Sequence, residues 1–158
     1  MTDHTRALHE QCVDAWLTAR DARNTDNTAL TALLLAGLRA IWQRARPSLG
    51  DVTLTAIVQR AIHTSQRRHT ELAQIGLRVG DAGTIELTNP SAPRVVLCPA
   101  VTCVLAEVLH VLGELTAGAL TLPLHAALAS AAEESPALVL LRSSPNPRDG
   151  RDDERGTA

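Results

Sequence analysis

The near absence of aromatic side chains is the feature that most constrains how this chain folds. The 158 residues are 45% apolar, but they include no Phe and no Tyr, and only Trp16 and Trp42 carry large rings. Leu, Val, Ile and Ala must therefore fill the core, which favours helices and closely packed aliphatic layers. The length suits one domain, or one small domain with an attached helical element.

Charge, cysteine spacing and the N-terminal residues limit the classes of partner and compartment. The formal net charge of −2 gives no electrostatic reason to expect a nucleic-acid partner. Cys12, Cys98 and Cys103 match neither a zinc spacing nor a disulfide framework, so we expect reduced and mostly buried thiols. The N-terminus lacks a signal-peptide pattern, and no apolar run is expected to approach membrane-spanning length. These features predict a soluble cytoplasmic protein without a membrane partner.

Two amphipathic helices are predicted at the N-terminus, over residues 5–23 and 28–45. The apolar stripe of the first comprises Leu8, Cys12, Trp16 and Ala19. The wider apolar face of the second comprises Leu30, Leu34, Leu38, Ile41 and Trp42. Two helices joined by a short turn form an antiparallel hairpin, and so much apolar surface favours dimerisation into a four-helix bundle. The alternative is that the hairpin packs on its own domain.

The rest of the chain reads as a mixture of strands and helices. Pro47 is expected to end the second helix, and a third helix is expected over residues 55–73. Strands are expected at DVTL (51–54), in the IGLRV-GDAG-TIEL hairpin, at RVVLC (94–98), over 120–128 and at ALVLL (137–141). A helix over 124–133 competes with the strand over 120–128.

The predicted fold class is α+β. An N-terminal antiparallel helical hairpin precedes a small α/β sandwich with a mixed, largely antiparallel sheet. The predicted units are a dimerising hairpin over 1–47, an α/β domain over 48–142 and a disordered tail over 143–158, which is charged and almost without apolar residues.

The segment VLAEVLHVLGEL (104–115) predicts a helix with one buried face and one polar row. The polar row consists of Glu107, His110 and Glu114. Glu107-x-x-His110 has the spacing of di-iron carboxylate bundles, but those sites need two such motifs and two further Glu residues. Only one copy is present. A solvated helix face is the favoured interpretation, and we predict neither a metal nor a cofactor.

His9 and Glu10 are the candidate catalytic pair. A histidine on an exposed helix face can carry a phosphoryl group, and an adjacent carboxylate can orient the imidazole and accept its proton. This chemistry requires both side chains to face solvent. Position 9 lies beside the stripe of Leu8, Cys12 and Trp16, so an exposed ring is expected. The alternative is that His9 is an ordinary surface residue.

The order of elements resembles the core of a sensor histidine kinase. The resemblance is carried by LGDVTLTAIVQRAIHTSQRRH, by RVVLCPAVTCVLAEVLHVLGELTAGALTL and by ALVLLRSSP, and it spans roughly residues 28–145. It implies a dimerising hairpin followed by an ATP-binding domain of the Bergerat type. His9-Glu10 looks like the start of the family's phosphoacceptor box.

The chain departs from that family where ATP would bind. LAEVLHVLGEL lacks the metal-binding Asn, with Val111 and Leu115 at the corresponding positions, and RSSPNP stands where the Asp-x-Gly-x-Gly box should be. The resemblance therefore implies a relative that does not bind ATP, comparable with histidine phosphotransferases.

These observations predict a regulatory or signalling protein without catalytic turnover. It would form a homodimer through helices 5–45 and bind a partner protein, such as a response-regulator receiver domain. One alternative is a phosphorelay histidine phosphotransferase that uses His9. The other is a structural or assembly module without signalling chemistry.

Overall fold

The computed structural model describes residues 2–20, 27–70, 72–73, 76–80, 84–87 and 94–131. In this part of the chain the fold is mostly helical. The helices are α1 (Thr2–Ala19), α2 (Asn27–Arg68), α3 (Arg94–Leu115) and α4 (Thr121–Ser130). Two short strands, β1 (Leu77–Val79) and β2 (Ile85–Leu87), lie between α2 and α3 in the sequence.

The predicted α/β sandwich is wrong. The sheet within the described residues has two strands, which pair antiparallel with Leu77 opposite Leu87 and Val79 opposite Ile85. The hairpin predicted from IGLRV and TIEL is thus confirmed, but no further described strand joins it. Leu77, Val79 and Ile85 point into the helical core, so the hairpin covers the helices rather than forming a layer of its own.

Three segments that we predicted as strands are helical. Residues 51–54 belong to α2, residues 94–98 begin α3, and most of 120–128 lies in α4. The alternation in the last segment was misleading, because α4 buries Leu124 and Leu128 while Leu122 is 79% exposed. A spacing of four residues between buried leucines follows the helical period and not the strand period of two. The ALVLL run (137–141) and the tail (143–158) lie outside the described residues.

The second helix does not end at Pro47. Helical structure continues to Leu49 and is interrupted at Gly50, whose φ of 74° and ψ of 165° are not helical. Asp51 then stabilises the joint: its carboxylate pairs with Arg46 at 3.0 Å and accepts a hydrogen bond from the Trp42 indole at 3.3 Å.

The core is aliphatic, as the composition predicts. Its largest fully buried side chains on α2 and α3 are Leu30, Leu33, Leu34, Leu38, Ile41, Leu54, Leu105, Leu109 and Leu112. One cluster of buried residues includes side chains from α1 to α4 and the hairpin, so it contains residues on both sides of the predicted boundary at 47/48.

The two N-terminal helices do not chiefly pack on each other. α1 packs mainly against α3, and α2 packs against α3 and α4. Leu34 and Leu38, which we expected in a dimer seam, are 1% and 2% exposed within a single chain. A homodimer through residues 5–45 stays a prediction, but its seam would have to use other side chains.

The helix α3 corrects one expectation about membranes. Its window Cys98–Leu115 is 18 residues long with a mean hydropathy of 1.5, which is long and apolar enough to cross a membrane. However, 56% of that window is buried inside the protein. Such burial is typical of the core helix of a soluble protein, and a single window of this kind is weak support for a membrane span.

Candidate functional site

Three histidines from three helices meet inside the bundle. Nδ1 of His9 in α1 lies 2.9 Å from Nε2 of His125 in α4, which is hydrogen-bond distance. The two rings are nearly perpendicular, with centroids 5.1 Å apart. His110 in α3 presents its ring to His9 at a centroid distance of 6.2 Å. This arrangement, which we call the histidine cluster, is the densest group of titratable rings among the described residues.

The buried face of α1 explains why His9 points inward. The buried side chains of this helix are His9, Val13, Trp16 and Leu17. This stripe is rotated by about one residue, or about 100°, from the stripe that we predicted. Leu8 is consequently 48% exposed, whereas His9 is 1% exposed. His9 is the polar end of an otherwise apolar interface.

Gly113 makes room for the His9 ring. A Cβ atom at position 113 would lie 3.6 Å from Nε2 of His9 and 3.3 Å from the hydroxyl oxygen of Thr121. The absence of a side chain therefore lets the ring rest against the backbone of α3, one turn after His110. Thr121, the first residue of α4, also lies close to Gly113.

Two ring nitrogens in the cluster have no protein partner. Nε2 of His9 and Nδ1 of His110 are buried without a hydrogen bond. A buried N–H that lacks an acceptor is less favourable than a buried acceptor that lacks a donor, and each unpaired group costs about 1–3 kcal/mol. We therefore assign the neutral tautomer in which His9 Nδ1–H donates to His125 Nε2, and His9 Nε2 keeps only a lone pair.

Burial and neighbouring rings disfavour a charge on His9. Desolvation, and then the nearby rings of His125 and His110, lower the pKa of His9 from 6.5 to about 4. Desolvation also lowers the pKa of His125. His9 and His125 are thus neutral at pH 7, and the three rings interact by one hydrogen bond and by edge contacts.

Ion pairs centred on Glu107 connect α3 to α1 and α2 near the histidine cluster. Glu107 in α3 is 8% exposed and forms ion pairs with Arg6 of α1 and with Arg68 of α2, the latter at 3.8 Å. Arg6 also contacts Glu10 at 3.5 Å. Glu107 was predicted on a solvated face, and that expectation is wrong because two arginines from other helices neutralise its charge. Glu114, from the same predicted row, is exposed.

The predicted catalytic pair is not assembled as phosphoryl transfer requires. Glu10 is exposed and directed to Arg6, whereas His9 is buried against α3 and α4. Successive helical residues point about 100° apart, so the two side chains lie on different sides of α1. The catalytic role of His9 and Glu10 stays a prediction, and the condition that His9 faces solvent is not met.

The described residues offer little to other chemistry. Among them, no group of three His, Cys, Asp or Glu side chains is arranged to hold a metal ion. Cys12, Cys98 and Cys103 are unpaired and partly buried, and burial raises the pKa of the Cys12 thiol. An open groove of about 500 Å³ lies between α2 and α4. Its lining is Ala36, Arg39, Ala40, Gln43, Arg44, Ala127, Ser130 and Ala131, which includes no acid or histidine.

Sequence reasoning missed the partners of His9. His110 was assigned to a solvated row, and His125 was placed in a strand. The usable signal was that each of the three histidines adjoins an apolar stripe at helical spacing, next to Leu109 in α3 and Leu124 in α4. That signal becomes visible only when 120–128 is read as a helix.

Searches of protein-family models, curated proteins and solved structures found no match for this chain. The resemblance to the sensor histidine kinase core therefore stays a prediction.

Proposed function

We propose that this protein is a regulatory or signalling protein that acts by binding other proteins, without catalytic turnover, and that it works as a homodimer. The observation that supports the proposal is a set of exposed leucines at one end of the helical bundle. Leu8, Leu115 and Leu122, which we call the leucine patch, are 48%, 60% and 79% exposed. Single exposed leucines are common. The proposal takes these three, from three helices, as one surface, because contiguous exposed apolar patches mark interaction sites.

The position of these leucines follows from the histidine cluster. His9 lies against Gly113 near the end of α3 and bonds His125 near the start of α4, so the N-terminal half of α1 is close to these two helix ends. Leu122 precedes His125 by three residues and thus lies on the same side of α4.

The partner assigned to the leucine patch is a second copy of the chain. Leu8 belongs to the segment 5–45 that we predicted to dimerise, and the other large apolar side chains of α1, Val13, Trp16 and Leu17, are buried in the protein's own core. Within a single chain, the three leucines of the patch remain exposed to solvent, and a second copy would bury them. Dimers formed by such a patch are isologous, since each copy presents the same surface.

The proposal places the protein in the cytoplasm and includes no use of ATP. The first statement rests on the burial of α3, and the second on the missing Asn and the missing Asp-x-Gly-x-Gly box. A receiver domain as further partner rests on the resemblance alone. A purely structural module would have the same helices and would differ only in lacking a signalling partner.

Phosphorelay through His9 is the weaker candidate. Transfer of a phosphoryl group to His9 would require α1 to leave α3 and α4, because the ring is 1% exposed. No described contact favours this role over a structural one.

The test is the molar mass of the protein in solution, measured by light scattering. We expect a dimer for the unmodified chain and a monomer for Leu122→Glu, because a carboxylate in an apolar seam is strongly disfavoured. Val52→Glu is the matched control, since Val52 is 86% exposed on α2 and lies outside the leucine patch. A monomeric unmodified chain, or a Leu122→Glu variant that stays dimeric, would contradict the proposal.

A further inference from the structure

The histidine cluster joins the first helix to the rest of the bundle through groups that titrate. His9 is a residue of α1 that reaches both α3 and α4, since its ring lies against Gly113 and bonds His125. The α3–α4 pair also packs against α2 without the help of α1. The attachment of α1 can therefore change while the rest of the fold persists.

We infer that the histidine cluster is an acid-operated latch, which holds α1 on the α3–α4 pair when it is neutral and releases α1 when it takes up a proton. This inference goes beyond the proposed function and does not depend on it. It rests on the connectivity of the ring nitrogens.

Proton uptake by the bonded pair either breaks the observed contact or leaves a buried N–H without an acceptor. The lone pair of His125 Nε2 accepts the His9 hydrogen bond, so a proton added there displaces the donor. The bond could reverse only if His9 moved its own proton to Nε2. That nitrogen is buried against Gly113 without an acceptor. A proton added directly to His9 Nε2 meets the same obstacle.

No described carboxylate is positioned to compensate the charge. On α1, Glu10 is directed to Arg6; on α3, Glu107 is paired with Arg6 and Arg68, and Glu114 is exposed. The group that α2 sends to this region is Arg68, which is itself cationic. The remaining group on α3 is His110, whose Nδ1 is buried without a partner. A cation in the cluster would therefore face two imidazoles and nearby arginines.

Release of α1 relieves this conflict and exposes a defined surface. Val13, Trp16 and Leu17 would leave the core together with His9, because they lie on the same face of α1. Trp16 is 5% exposed in the latched state, and its ring contacts the region of Gly37, Leu105 and Leu128. Its fluorescence thus reports directly on the position of α1.

The test follows Trp16 in a Trp42→Phe background, in which it is the single tryptophan. As the pH falls from about 7 to about 4, we expect a red shift of Trp16 emission and a several-fold rise in acrylamide quenching. The far-UV helix signal should be mostly retained, because only α1 is released. Trp16 that stays protected throughout, or a helix signal that is lost together with its protection, would overturn the inference.

Two variants assign the transition to the cluster. In His125→Gln the side-chain amide oxygen can still accept the His9 hydrogen bond but takes up no proton, so one of the groups that drive release is removed and the midpoint should move down. His63→Gln changes an exposed histidine and should leave the midpoint unchanged. If His125→Gln loses helix signal at neutral pH, His125→Asn takes its place. Equal midpoints in the unmodified, His125 and His63 proteins would overturn the inference.

Discussion

Nδ1 of His9 lies 2.9 Å from Nε2 of His125, although the two residues are 116 positions apart in the sequence. The contact joins the first helix to the last described one. It also gives His9 a structural role at the position where the sequence predicted a phosphate carrier. The residue is chemically unusual because it is buried, whereas the prediction required it to be exposed.

The free energy of unfolding should fall as the pH is lowered from 6.5 to about 4, because folded His9 resists protonation in this range. Its pKa is 6.5 in the unfolded chain and about 4 in the folded protein, so the unfolded state binds more protons between these values. The contribution is complete above pH 6.5 and is lost progressively towards about pH 4, at a cost of up to roughly 3 kcal/mol. Urea unfolding at several pH values measures it. A free energy of unfolding that is constant over this range would contradict the prediction.

Removal of the Glu107 charge should destabilise the junction of α1, α2 and α3. Glu107→Gln leaves Arg6 and Arg68 without their buried counter-charge, and we expect a loss of about 2 kcal/mol. Glu114→Gln is the matched control, because it makes the same change at an exposed position of the same helix. Chemical denaturation of both variants tests this prediction, and equal stabilities would show that the ion pairs contribute little.

Gly50 should not tolerate a side chain. Its φ of 74° and ψ of 165° lie in a region that is essentially restricted to glycine, although nothing crowds a Cβ atom there. We expect Gly50→Ala to lose about 1–3 kcal/mol through backbone strain alone. Val52→Ala, two residues away and exposed, should change stability little. Thermal unfolding followed by circular dichroism compares the two, and a neutral Gly50→Ala would contradict the observed conformation of the joint.

Gly37 should be limited by crowding rather than by backbone strain. A Cβ atom there would lie 3.1 Å from the Trp16 ring, 3.2 Å from Leu128 and 3.3 Å from Leu105. Overpacking of this kind typically costs about 1–3 kcal/mol, which exceeds the helix-propensity gain of about 1 kcal/mol. In Gly113→Ala the new Cβ atom would lie 3.3 Å from the Thr121 hydroxyl oxygen, and its two contacts with the His9 ring would have ordinary lengths. Gly113→Ala should therefore be more stable than Gly37→Ala. The reverse order in urea unfolding would contradict the packing at Gly37.

The helices and the hairpin could be predicted where local signals agree. The IGLRV and TIEL runs flank a Gly-Asp turn, and α1 and α3 follow a clear helical period. The prediction failed where short aliphatic runs carry a misleading period or none. RVVLC and LTLPLHAAL are compatible with either state in isolation, and in this protein the first begins α3 while most of the second lies in α4.

The candidate site was missed for a geometric reason. A shift of the buried stripe by one residue, from Leu8 to His9, decides whether the ring faces solvent or the core. Single-sequence periodicity does not resolve such a shift for a helix end with polar residues on both sides. The convergence of His9, His110 and His125 also depends on the pairing of α1 with α3 and α4, which the expected pairing with α2 concealed.

The most direct test of the account is the titration of the His9 ring by nuclear magnetic resonance. The chain has six histidines, and the signal of His9 can be assigned by its loss in His9→Gln. The buried cluster predicts that His9 titrates at about pH 4. A His9 signal that titrates at its ordinary value of 6.5 or above would show that the ring is solvated, and would contradict both the cluster and its role in holding α1.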